Sequence, residues 1–117
     1  MNIPDNVDGK IICVDIDHTL CFPTEAKETH ERYALAAPNR PVIEKVNQWK
    51  SAGAKIVLHT ARRMLTHKGD LKKIEEDVGQ VTRDWLEQHG VQYDELIFGK
   101  PYAHFYLDDK AVNVEEL

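Results

Sequence analysis

A short apolar run, Ile11-Ile12-Cys13-Val14, leads without a spacer into Asp15-Ile16-Asp17-His18-Thr19. Its brevity, its β-branched residues and its lack of polar alternation are the pattern of a parallel strand buried on both faces, which points to an α/β chain. Two carboxylates then stand where the strand leaves the sheet, with a hydroxyl two residues further on. Like charges at one strand tip repel and resist desolvation unless a cation or hydrogen-bond donors compensate them. The carboxyl edge of a parallel sheet is also where open α/β folds bind their ligands. Asp15 and Asp17 therefore read either as a metal-assisted catalytic pair or as the start of a turn and a helix cap. This stretch alone does not separate the two.

Three further apolar runs end in the same way. Ile56-Val57-Leu58-His59 leads to Thr60-Ala61-Arg62, Glu95-Leu96-Ile97-Phe98 to Gly99-Lys100-Pro101, and Phe105-Tyr106-Leu107 to Asp108-Asp109. Each strand-like segment thus finishes on a residue able to hold phosphate or a divalent cation. This ordered series resembles the four motifs of the haloacid dehalogenase superfamily of aspartate-nucleophile phosphatases: a D-x-D-x-T after the first strand, then a Thr or Ser, a Lys, and a terminal acidic pair. The resemblance runs from about residue 10 to residue 112 on Asp15/Asp17/Thr19, Thr60, Lys100 and Asp108/Asp109. Four motifs in order are far more specific than any one of them.

Between the runs, Pro41 occupies a place suited to a helix's first turn, and Val42, Val46 and Trp49 fall on one face until Gly53. Asp70 can cap a longer helix with Leu71, Ile74, Val78, Val81 and Trp85 as a continuous stripe, Gly79 as a kink and Gly90 as the stop. Residues 20–40 show no period. Strand–helix–strand–helix–strand–strand is the order of an α/β sheet with helical cover. At 117 residues the chain reads as one domain, 1–117. The resemblance implies a Rossmann-like three-layer α/β/α sandwich with a mostly parallel sheet. It also implies a capless member, since neither gap between motifs holds a full domain and residues 20–40 allow only a short flap. Its site would be open or closed by a neighbouring subunit of a homo-oligomer.

A net charge of −5 offers no basic surface to a nucleic-acid backbone, so no nucleic-acid partner is expected. No run has membrane-spanning length, and the first residues lack the pattern of a signal peptide. Cys13, inside the first strand, reads as a buried thiol, and two cysteines make no disulfide framework. The expectation is a cytoplasmic protein.

By resemblance, Asp15 is the nucleophile that forms an aspartyl-phosphate. Asp17 is the acid that protonates the departing alkoxide and then the base for water. Mg²⁺ would be held by Asp15, the Asp17 carbonyl and Asp108, with Asp109 joining directly or through water. Thr60, Ala61 and Lys100 would bind the phosphoryl oxygens. Dehalogenase and phosphonatase branches lack an Asp at the position of Asp17, so a phosphomonoesterase is implied. His18 replaces the usual Gly, either within the same backbone turn or as a substrate contact. Arg62 and Arg63 follow Thr60 at the mouth of the site, where a cation would meet a second anionic group, with Arg62 favoured for that role; a solvated loop is the other reading. Cys21 has no neighbour in sequence that would activate it as a nucleophile. The surrounding segments resemble small phosphatases of bacterial capsule and polysaccharide synthesis, which implies a sugar or polyol phosphate as substrate. The other readings are a phosphatase of phosphoprotein or nucleic-acid 3′-phosphate, and a non-hydrolytic phospho-acceptor or scaffold. A response-regulator receiver fits poorly, because there the acidic pair precedes the phosphorylated Asp.

Overall fold

In a computed structural model that describes residues 3–117, most of the apolar runs become strands and both periodic stretches become helices. In chain order, β1 is Ile11–Asp15, β2 Cys21–Phe22, α1 Thr29–Ala34, β3 Ala37–Pro38, α2 Arg40–Ser51 and β4 Lys55–Thr60. A long helix follows as α3 (Leu71–Ile74), a π turn over Glu75–Gly79 and α4 (Gln80–Gln88). Then come β5 (Glu95–Phe98) and a 3-10 turn at Val114–Glu116.

Local chemistry sets these elements. Pro41 lies in the first turn of α2, where a missing N–H costs nothing, and Val42, Ile43, Val46 and Trp49 are buried. The Asp70 side chain accepts from the Lys73 amide at 3.2 Å and starts the long helix. Ile74, Val78, Val81 and Trp85 are buried as the stripe requires, but Leu71 stays exposed in the first turn. Gly79 closes the π turn, where an added Cβ would collide with the Glu75 carboxylate.

The sheet has the order β1-β4-β5, all parallel, with Asp15 opposite His59 and Thr60 opposite Phe98. This register puts the carboxyl ends of all three strands on one edge. Residues 21–38 leave that edge and return as the antiparallel pair β2-β3, with α1 between them. The core joins Val14, Ile56 and Leu58 to Val46 and Trp49 of α2 and to Trp85 and Leu86 of α4. Burying each large aliphatic side chain contributes about 1.5–3 kcal/mol.

Both helices lie on one face of the sheet, for a topological reason. The strands advance in a single direction from β1 to β5, and right-handed crossovers that advance one way stay on one side. The opposite face carries Ile11, Cys13 and Ile97, all exposed, with Ile97 at 48%; only Val57 in its middle is buried. The parallel, Rossmann-like α/β arrangement is therefore present as two layers, and the third layer of the expected sandwich is not formed among the described residues. The buried-thiol expectation for Cys13 fails for the same reason.

The fourth strand is also corrected. Phe105 and Leu107 are 91% and 104% exposed and outside any strand. A parallel strand on the free edge of β1 needs a crossover, usually of a dozen or more residues. Only residues 99–104 separate β5 from Phe105. Among the described residues, no helix is long and apolar enough to cross a membrane.

Candidate active site

The sequence left open what compensates two carboxylates at one strand tip, and each proves to have its own cation. Asp15 ends β1, and Lys100 Nζ lies 3.5 Å from its Oδ1. Lys100 is brought there from the end of β5, across β4: the Gly99 and Lys100 amides both donate to the Thr60 carbonyl, at 3.2 and 3.1 Å. Gly99 makes the turn with φ +103, a backbone region that L side chains rarely enter, and a Cβ there would lie 2.8 Å from Leu71 Cδ2. Lys100 also sits over the Tyr106 ring, 4.2 Å from its centroid.

Asp17 is held by Arg62. Arg62 Nε lies 2.9 Å from Asp17 Oδ2 and 3.2 Å from Oδ1, and Nη2 donates to Oδ1 at 2.7 Å. The remaining arm, Nη1, donates to Thr82 Oγ1 at 2.9 Å, and the guanidinium stacks 4.1 Å from the Tyr33 ring centroid. Arg62 is 3% exposed. Burial alone would lower its pKa, but the hydrogen bonds and charge of Asp17 outweigh that and raise it, so the guanidinium stays charged. The expectation that Arg62 waits at the mouth for a second anion is therefore corrected. Its donors are committed inward, because a carboxylate this close to the core needs a partner.

Around these pairs the backbone is tightly turned. The Ile16 carbonyl accepts from the Thr19, Leu20 and Cys21 amides, and His18 takes φ +63. The left-handed turn for which glycine is the usual residue is thus made by His18, at a cost of about 1 kcal/mol. Cys21 Sγ is 3.5 Å from Asp17 Oδ1, and burial together with the Asp17 charge pushes its thiol up to about 12. It is not a nucleophile at neutral pH. His59, opposite Asp15, is lowered by burial and by Lys100, against a smaller opposing effect of Asp15, and is uncharged at pH 7.

Asp15, Asp17, His18, Thr60, Ala61, Arg62 and Lys100 all line one open cavity of about 430 Å³. Thr60 Oγ1 accepts from the Arg62 amide at 3.0 Å, which leaves its hydroxyl proton to donate outward. Asp108 and Asp109 are not in this group. Both are exposed, Asp108 accepting from the Lys110 amide and Asp109 pairing with Lys110 Nζ at 3.2 Å. No cluster of three acidic, His or Cys residues suited to a metal ion occurs among the described residues. The structure also adds a residue that the sequence did not single out. Tyr33 comes from the aperiodic 20–40 segment, and its single buried position in a six-residue helix leaves no periodic signal. Arg63, which the sequence placed at the mouth beside Arg62, lines the cavity too.

The same fold occurs in the crystal structure of an MCSG target protein from Vibrio cholerae. That protein is 37% identical, with a TM-score of 0.80, and the match covers 92% of this chain and 85% of that one. The chain belongs to one family with it. Two chains of Pnkp1/Rnl/Hen1 complexes, one described as an RNA repair complex, share the fold at TM-scores of 0.55 and identities of 19% and 21%. The matches cover 84% and 85% of this chain but 28% and 30% of those longer ones, and at such identity the likeness is one of fold alone. No protein-family profile and no curated protein matches the chain.

Proposed function

We propose that this protein is a phosphomonoesterase of the haloacid dehalogenase superfamily that works through an aspartyl-phosphate on Asp15. One observation carries the reading. Asp15 at the end of β1, Thr60 at the end of β4 and Lys100 just past β5 converge on one cavity, with Lys100 3.5 Å from Asp15. An acyl-phosphate mechanism needs a carboxylate nucleophile beside fixed donors for the phosphoryl oxygens, and these three supply that combination.

In the first step an Asp15 oxygen attacks phosphorus, a P–O bond forms, and the ester P–O bond breaks with its electrons on the leaving oxygen. That oxygen takes a proton from Asp17, which must enter the step protonated on Oδ2 within its pair with Arg62. In the second step a water gives its proton to Asp17 and attacks the aspartyl-phosphate, releasing phosphate and restoring Asp15. Arg62 fixes the Asp17 rotamer. Its contacts crowd Oδ1 and leave lone-pair capacity on Oδ2 for the travelling proton. Thr60, the Ala61 amide and Lys100 meet the charge that develops on the phosphoryl oxygens.

Magnesium belongs to the reading by resemblance, but its donor set does not fit the arrangement described. Asp108 and Asp109 lie in the exposed tail, outside the cavity that holds Asp15, so no step above runs through the ion. A sugar or polyol phosphate is the proposed substrate. The likeness to an RNA repair complex carries only fold, and a net charge of −5 gives RNA backbone no electrostatic attraction. The test is phosphate release from sugar phosphates, nucleotides, phosphopeptides and an aryl phosphate, with Mg²⁺ and with chelator. Turnover lost in Asp15→Asn supports the reading. Full turnover by that variant removes it.

A further inference from the structure

Arg63, next in sequence to the committed Arg62, is less deeply buried. It lines the same cavity as Asp15 and Lys100, its side chain is about one-fifth exposed, and its backbone sits at φ +60. A non-glycine residue there costs about 1 kcal/mol. The Nε group donates to Asp77 Oδ2 at 3.0 Å, and His67 Nε2 reaches the same oxygen at 2.8 Å. Asp77 comes from the π turn, a rare helical distortion that occurs often at functional sites. With Asp77 and Arg63 both part-exposed, such an ion pair contributes about 0–1 kcal/mol, which barely offsets the backbone cost. Stability therefore does not account for the arrangement. What it achieves is orientation: Asp77 grips the guanidinium through Nε, and no bond to Nη1 or Nη2 is found among the described residues.

We propose that Arg63 is a specificity residue that binds a second anionic group on the substrate, a carboxylate or a second phosphate, through its two terminal amino groups. The planar fork matches either oxyanion with paired N–H donors. Asp77 is its positioning residue. Lys100 and Thr60 are occupied with the reacting phosphoryl group, so the second anion would define the outer end of the substrate. This inference rests on the Asp15 side of the cavity being the phosphate subsite, and it deepens the proposed function from a generic phosphate ester to one carrying a further acid.

The test is equilibrium binding by calorimetry, which needs no turnover. Linear ω-phosphonocarboxylates and alkylene bisphosphonates of three to six carbons are compared with alkylphosphonates of the same length. At the best length, one of the two-acid series should bind wild-type protein about tenfold more tightly than the plain phosphonate, and the better series identifies the second anion. Arg63→Gln should remove that preference, and Asp77→Asn, which leaves the guanidinium unheld, should weaken it. Equal affinities in the wild type, or a preference unmoved in Arg63→Gln, overturn the proposal. If no ester is hydrolysed yet the Arg63-dependent preference persists, the phosphatase reading falls and the assignment of Arg63 stands.

Discussion

Replacing Arg62 by Met removes a guanidinium that is 3% exposed while keeping much of its volume. Asp17 then loses its Arg62 donors, but its side chain is 23% exposed and can recruit water on one side. The loss should therefore fall near the lower end of the roughly 3–5 kcal/mol seen when one partner of a buried pair is deleted. Loss of the stack on Tyr33 adds about 1 kcal/mol. Thr82 adds little, since its hydroxyl keeps the bond to the Val78 carbonyl at 2.6 Å. The expected cost is about 4 kcal/mol, which at roughly 2.1 cal/mol/K per residue lowers Tm by about 16 °C for a chain of 117 residues. The orphaned charge makes a distinct signature. Arg62→Met combined with Asp17→Asn should be more stable than the sum of the single losses predicts, by about 2 kcal/mol. Urea unfolding at pH 7.5, followed by the fluorescence of buried Trp49 and Trp85, reads both quantities. A loss under about 1 kcal/mol in Arg62→Met, or strict additivity in the double variant, would refute the pairing argument.

The other predictions test the turn, the histidines and the acidic tail. Gly99→Ala should cost about 1–2 kcal/mol through backbone strain and contact with Leu71, and should depress phosphate release because Lys100 follows it directly. Wild-type values in both assays would show that the turn does not place Lys100. His59 is lowered by burial and by Lys100, and His89 by burial and by Arg40, relative to an ordinary 6.5. On acidification the unfolded chain binds these protons first, so stability is full above that value and declines as pH falls through it. Tm measured from pH 8 to 5.5 should drop, and His59→Asn with His89→Asn should flatten the drop. An unchanged slope would point to other groups. Because Asp108 and Asp109 lie outside the cavity, Asp108→Asn/Asp109→Asn should keep phosphate release near the wild-type level. Loss of release in that variant would show that the pair takes part in turnover.

Much of the fold was legible because its signals are local. Residues 95–98 form β5 at the expected bounds, α2 and β4 depart by a residue or two, and Asp70 caps as expected. The polar residues after β1, β4 and β5 meet at one edge because parallel strands necessarily align their carboxyl ends. What escaped the sequence depends on distance in space. Phe105-Tyr106-Leu107 has a strand's composition, but the short connection before it works against a strand on the far edge of β1. Arg62 and Arg63 are adjacent and chemically identical, yet Asp17 draws one inward and Asp77 holds the other at the cavity. Only the folded partners distinguish them.

Winding in one direction also gives this molecule a side on which it can grow. A strand added beyond β5 would prolong the same winding and leave the helix-free face untouched. One added beyond β1 would have to travel across that face, roofing Cys13 and Ile97 on its way. It would also create the reversal of strand order at which open α/β sheets form their ligand crevices, directly beside Asp15. The incomplete side of the sheet and its chemical edge are thus one place. A longer relative that elaborates the first must rebuild the second.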